Sequence, residues 1–170
     1  ASDVYKRQVA YISVVMDLMI HDIDIILTLV NSKIIQIDAI GAKVLSPSED
    51  IINARIKFEN GCVANISASR ISMEKFRKIR VFQDDTYISL DYAKQNLKVY
   101  RKKGSIVRSM KDIEIIKPKL KTEEPLKREL EHFINCIREG KRPLVTGERG
   151  RDALEVAIEI IDILKRQTED

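Results

Sequence analysis

The sequence predicts an α+β fold: an open, mainly antiparallel sheet with helices on one face. Three observations lead there. Two alternating apolar–polar runs, Ile52–Glu59 and Cys62–Ser69, flank Asn60-Gly61, a dipeptide that accepts positive φ and marks a hairpin. Several short strand-like runs follow with brief turns between them, which pairs sequential strands antiparallel. The chain then closes with two segments whose apolar residues recur at helical spacing.

Taken in order, Val9–Val15 (VAYISVV) is β-branched and apolar, the composition of a buried strand. Asp17 opens a helix running to Val30, because Asp is a favoured N-cap and an acid there meets the positive end of the helix dipole. Leu18, Ile25 and Leu29 share its apolar face, and Asn31-Ser32 ends it. Ile34–Leu45 is the next strand. In the hairpin, Ile52, Ala54, Ile56, Phe58, Cys62, Ala64, Ile66 and Ala68 form an inward face. Asn53, Arg55, Lys57, Val63, Asn65, Ser67 and Ser69 form the other. Further strands are expected at Lys78–Phe82, Thr86–Tyr92, Leu97–Arg101 and, after the Lys103-Gly104 turn, Ser105–Met110. Leu126, Leu130, Phe133, Ile134 and Ile137 mark a helix over Thr122–Glu139, capped by Thr122 and stopped by Gly140. Ala153, Val156, Ala157, Ile160 and Leu164 mark the last helix, Gly150–Arg166.

With 170 residues, 44% of them hydrophobic and 33% charged, the chain can bury a sizeable core, which excludes a disordered or low-complexity protein. No apolar run approaches the roughly 18 residues of a membrane helix. The two cysteines, Cys62 and Cys136, cannot build a disulfide framework or a four-cysteine zinc site, so a reducing cytoplasm is the expected compartment. Both are read as small hydrophobes. The net charge of +4 is scattered, and Arg101-Lys102-Lys103 reads as a solvated hairpin end, so neither a nucleic-acid nor a membrane partner is expected. Residues 1–8 (ASDVYKRQ) stand apart: from Asp3 on they resemble the translation of a common sequencing-adapter tail. The expectation is that the native reading frame is cut at Val9 and its upstream part is missing, a native disordered terminus being the alternative.

The one dense group of functional side chains is Asp17, His21, Asp22 and Asp24. At about 3.6 residues per turn, Asp17, His21 and Asp24 fall on one stripe while Asp22 points elsewhere. A carboxylate four residues before an imidazole can hold its tautomer and favour its charged form, which suits proton transfer with a substrate hydroxyl. A capping Asp followed by a structural His explains the same spacing, and a three-ligand metal site is a third alternative. No metal is expected, because no further His lies nearby. His132 reads as structural or exposed.

Asp17-x-x-x-His21 with Asp24, on the first helix after a strand, resembles the C-terminal half of the glucose–fructose oxidoreductase / inositol dehydrogenase (Gfo/Idh/MocA) family. The strand–turn–strand from Glu49 through Asn60-Gly61 to Ala64, its end at Ala68-Ser69-Arg70, and the closing Phe133 to Leu154 helix–loop–helix resemble the same family. Together they span Val9 to Arg166. The resemblance implies catalytic roles for Asp17 and His21, beside a Lys from a Glu-Lys-Pro motif in an N-terminal Rossmann domain that binds NAD or NADP. This chain holds neither Glu-Lys-Pro nor G-x-G-x-x-G after a strand, and Gly147-Glu-Arg-Gly150 follows a loop. Residues 9–170 are therefore expected to be the substrate-binding and oligomerisation domain, with no cofactor-binding residue and no activity of its own. The intact protein would be an NAD(P)-dependent dehydrogenase acting by hydride transfer on a sugar, cyclitol or nucleotide-sugar hydroxyl or ketone. The style of the Asp17–Asp24 segment is closest to members acting on nucleotide-activated or envelope sugars. Substrate contacts fall to Asp24 and to Arg70, whose guanidinium could grip a phosphate or carboxylate bidentately; a surface or interface role is the alternative for Arg70. A homodimer or homotetramer through the open sheet face, with Asn65 and Ser67 near its centre, is expected. The competing reading is a non-catalytic binding or assembly module of the same fold.

Overall fold

The computed structural model describes residues 12–73, 77–120 and 123–167. It is α+β, with its strands in two antiparallel sheets, and it sorts into two compact units. The first comprises the described residues up to Ser72 and from Arg142 on; the second is Met73–Lys141.

The first unit begins with a π-helical turn, Val15–Met19, continuous with α1 (Ile20–Val30). Three strands follow in the order β1 (Ile34–Ala42), β2 (Ile51–Phe58) and β3 (Val63–Ser69), and the chain returns at its end as α3 (Gly147–Gln167). Strand alternation places Ile52, Ala54, Ile56 and Phe58 of β2 inward, beside Ile37 and Ala39 of β1 and Ile66 and Ala68 of β3; all are buried. Val14, Val15, Met19 and Ile23 close over them from one side, and Ala153, Val156, Ala157, Ile160 and Leu164 of α3 join the same core. Gly41 leaves room chiefly for the Glu49 side chain, since a Cβ there would lie 2.7 Å from Glu49 Cγ, and also 3.3 Å from Leu164 Cδ2 of α3. The other face carries the rows Ile40–Asn53–Ser67 and Asp38–Arg55–Asn65, with the Ser67 hydroxyl donating to Asn53 Oδ1 at 2.6 Å.

The second unit is the sheet β4 (Lys78–Phe82), β5 (Thr86–Asp91), β6 (Asn96–Lys102) and β7 (Ile113–Ile116), in that spatial order, with α2 (Pro125–Glu139). Among its described residues only Thr86 and Cys136 are buried, and Leu126, Leu130, Phe133, Ile134 and Ile137 of α2 are all exposed.

The α+β, antiparallel fold class holds, with its strands divided between two sheets. Several expectations change. The predicted strand Val9–Val15 ends in helix at Val14 and Val15, because burying both valines completely outweighs their β preference; Val9–Tyr11 lie outside the described residues. Asp17 is not a cap. Ser13 takes that role, its hydroxyl accepting from Val15 N–H at 3.2 Å and its carbonyl from Asp17 N–H at 3.0 Å. The hairpin turns at the expected place, but only Gly61 has positive φ, while Asn60 Oδ1 accepts from Cys62 N–H at 3.1 Å. Cys62 is exposed at that turn, not inward. Ser105–Met110 is not a strand: Asp112 gathers the N–H groups of Arg108 and Ser109, folding the stretch into a capped 3₁₀ turn that delivers Ile113–Ile116 as the strand. Gly140 ends α2 at positive φ as expected, and Thr122 lies outside the described residues.

The β1–β2 connection is organised by a carboxylate. Asp50 is fully buried and accepts N–H groups from Val44, Leu45 and Ser46 at 2.6–2.9 Å and the Ser46 hydroxyl at 2.7 Å. The Ser46 hydroxyl and then these N–H groups hold its carboxyl well below the usual carboxylate range. A carboxyl depressed in the fold stabilises it above the unfolded value of about 3.9 and loses that contribution as pH falls below it. Urea unfolding midpoints should therefore drop on acidification from about pH 5 to about pH 3. Asp50→Asn should lower the midpoint at neutral pH and flatten the acid-side slope.

A second outcome concerns the core. Ile56→Ala, at the centre of the buried face, should cost about 2–5 kcal/mol in chemical unfolding.

Candidate functional site

The helix that carries Asp17 and His21 is placed by its hydrophobic half. Val14, Val15, Met19 and Ile23 are fully buried, which fixes the rotation of the π-turn and α1 and leaves Asp17 and His21 exposed. Asp17 sits inside the π-turn, a geometry often found at functional sites, and His21 in the first turn of α1. Among the described residues no hydrogen bond or ion pair joins them directly.

Asp24 is half-buried one turn further on. It lines a cleft of about 550 Å³ with Thr28, Asn31, Lys33, Arg149 and Asp152, where the end of α1 meets the start of α3. Asp17 and His21 are not among the residues lining this cleft. Lys33 and Arg149 are not singled out by sequence reasoning; their placement follows from the packing of α1 on α3, which no local pattern encodes.

Arg70 follows β3 and turns inward. Its side chain is 14% exposed, its Nε lies 3.8 Å from Asp50 Oδ1, and its Nη2 donates to the Ile12 carbonyl. The Arg70 N–H also donates to the Asp50 carbonyl at 3.0 Å. A bidentate grip on a substrate anion would require giving up the Ile12 and Asp50 contacts. Arg70 instead ties the end of the hairpin to the chain just before Ser13 and the π-turn.

In the second unit, Cys136 has a neighbour that sequence reading missed. Its Sγ is 3.6 Å from His132 Nε2, one helical turn earlier on α2. The His-x-x-x-Cys spacing was the available signal.

The described residues do not form a Rossmann-type dinucleotide-binding unit. Every strand pairing is antiparallel, so they contain no β–α–β crossover, and Gly147-Glu-Arg-Gly150 opens α3 after a loop. Among them, no three His, Cys, Asp or Glu side chains gather as a metal-ligand set, and no helix is long and apolar enough to cross a membrane. The arrangement offers an imidazole and a carboxylate to a ligand on an exposed helical face, with a polar cleft further along the same helix.

Because His21 is exposed, His21→Ala should change unfolding free energy by no more than about 0.5 kcal/mol in chemical denaturation, so any loss of activity would be chemical in origin.

Comparison with known proteins gives a consistent picture. Residues 3–107 match the family model described as the GFO/IDH/MocA C-terminal domain. UDP-N-acetylglucosamine 3-dehydrogenase of Acidithiobacillus ferrooxidans is 31% identical over 156 residues, covering 92% of this chain and 50% of that protein. A crystal structure of that dehydrogenase superposes with a TM-score of 0.84 at 30% identity, over 92% of this chain and 50% of the other. Two more distant structures share the fold: an NAD-binding protein from Listeria innocua (TM-score 0.71, 18% identity, 91% of this chain and 46% of the other) and a levoglucosan dehydrogenase in complex with NADH (0.73, 15%, 88% and 47%). The chain spans about half the length of the curated relative it matches.

Proposed function

Since the chain belongs to the GFO/IDH/MocA family, we propose that it is the substrate-side domain of an NAD(P)-dependent dehydrogenase acting on a sugar or cyclitol hydroxyl or ketone, a nucleotide sugar first among them. Support for the nucleotide sugar comes from the 31% identity to a UDP-N-acetylglucosamine 3-dehydrogenase. The observation that carries the reading is the exposed placement of Asp17 and His21 on a helix whose opposite face is sealed into the core. In this proposal the imidazole of His21 takes the proton of the reacting hydroxyl in the oxidative direction and returns it in the reductive one. Asp17, one turn earlier, is the second catalytic group of this proposal, its carboxylate orienting the imidazole through a bridging water. Asp24 binds the substrate from its cleft, and Arg70 serves the site by fixing Ile12. The nicotinamide cofactor, NAD or NADP, supplies hydride exchange and is held mainly by a Rossmann domain of the intact protein; the described residues have no part in holding it. Residues 9–170 alone would then be inactive. A cytoplasmic location belongs to the same proposal, since the exposed Cys62 thiol stays reduced there.

The test needs the full-length gene product. With UDP-N-acetylglucosamine and either dinucleotide it should turn over, and His21→Ala should lower kcat by about a hundredfold or more at unchanged cofactor affinity. A full-length protein without dehydrogenase activity would leave the non-catalytic binding module as the surviving reading. An equal loss of cofactor affinity would overturn the division of labour between the domains.

We further propose that the open face of β1–β3 joins copies of the protein in a homodimer or homotetramer, with Asn65 and Ser67 near the centre. That face is mixed in polarity, and Ile40 stands exposed on it. Ser67→Arg should shift light-scattering mass toward the monomer, because a desolvated like-charged pair at a two-fold centre costs several kcal/mol. A wild type that is monomeric at micromolar concentration, or an oligomer indifferent to the substitution, would reject the idea.

A further inference from the structure

One face of sheet β4–β7 carries a row of three stacked rings. Phe82, Tyr87 and Tyr100 are register partners on β4, β5 and β6, with ring centroids 4.9 and 5.4 Å apart and interplanar angles of 21° and 24°. Because β4 is the outermost strand of its sheet, the row ends at Phe82, which is 75% exposed. Two residues away on the same face, about 7 Å along the strands, lies the next row: Arg80, Ser89 and Lys98. It contains two cations and no carboxylate. The row beyond differs, since Lys78 there is ion-paired with Asp91 across β4 and β5 at 3.9 Å.

Ordinary cross-strand packing accounts for Tyr87, which has a ring on each side. It does not account for an apolar ring left open at the edge, nor for two cations set either side of a serine in a row that holds no carboxylate. Both make sense with a ligand present. An open ring face at the end of a stack accepts one more planar π system, and a paired Arg and Lys accept a phosphate-type anion. A nucleotide joins such a base to its phosphates through one ribose, a span comparable to the spacing of the two rows.

We propose that Phe82 together with Arg80 and Lys98 forms a subsite for a nucleoside diphosphate, the base stacking on the free face of Phe82 and the diphosphate lying against the two cations. The choice of uridine as the base rests on the proposed nucleotide-sugar substrate; the stacking row and the cation row do not.

The chain itself can be titrated with UDP, following the tyrosine fluorescence of Tyr87 and Tyr100 and the heat of binding. UDP should bind, and uridine and inorganic pyrophosphate should each bind at least about tenfold more weakly. Phe82→Leu, which keeps bulk but removes the planar ring, and Arg80→Gln should each weaken UDP about tenfold, within the range of stacking energies on aromatic platforms, while Phe82→Trp retains binding. Both positions are exposed, so circular dichroism and melting should be unchanged in all three variants. No UDP binding, binding indifferent to Phe82→Leu, or pyrophosphate binding as tightly as UDP would overturn the proposal. So would a uridine oligonucleotide binding far more tightly with a steep salt dependence, which would make the face a single-strand platform. The two readings fail separately. A full-length dehydrogenase whose KM for the nucleotide sugar ignores Phe82→Leu sinks the subsite alone, and UDP held through Phe82 and Arg80 by a protein without turnover sinks the dehydrogenase alone.

Discussion

The burial of one face of β2 is the constraint on which the first unit depends. Ile52, Ala54, Ile56 and Phe58 alternate with polar residues at a period of two, and the helices meet them with residues at a period near 3.6. The two patterns have one shared solution: the π-turn and α1 lie over β3 while α3 lies over β1, with β2 central between them. A slip of one residue in β2 would send all four apolar side chains to the open face and bring Asn53, Arg55 and Lys57 into the core. At about 1.5–3 kcal/mol for each large apolar side chain buried, no local preference in this part of the chain competes. That is why the Val14-Val15 pair folds as helix against its own propensity, and why the outward directions of Asp17 and His21 are fixed by the residues buried behind them.

A second layer of control is polar. Asp50 satisfies three backbone donors of its loop and faces Arg70, and Arg70 reaches the carbonyl of Ile12 immediately before Ser13. The chain thus connects the far end of the hairpin to the start of the helix bearing Asp17. A buried carboxylate and guanidinium of this kind contribute little net stability compared with an apolar pair, but they fix geometry, because either group left alone would be costly to bury. Sequence alone shows Arg70 as a cation after a strand, open to a substrate anion, and cannot show the carboxylate that faces it.

Much of this is legible in the sequence. The hairpin around Asn60-Gly61 follows from local alternation, as do the inward set of β2 and β3 apart from Cys62, and the stop at Gly140. The features that are not legible depend on distant partners. Val14 and Val15 carry a strand's composition and become helical because Ile56 and Ile160 wait for them in the same cluster. The Ser105–Met110 stretch has an extended pattern until the Asp112 carboxylate claims its N–H groups. The cleft at Asp24 needs Arg149, more than a hundred residues away. Asp17 and His21 stand out because their spacing on one helix is itself a local pattern.

The π-turn at Val15–Met19 is, in terms of descent, one residue more than an α-helix of the same length requires. Removing one of those five residues would close the bulge into regular α-helix and leave the flanking segments, Val14 on one side and Ile23 on the other, turned nearly as they are. What such a deletion would change is local: the wider backbone turn around Asp17. Kindred chains that lack one residue here would keep the buried face of the helix and present this carboxylate differently.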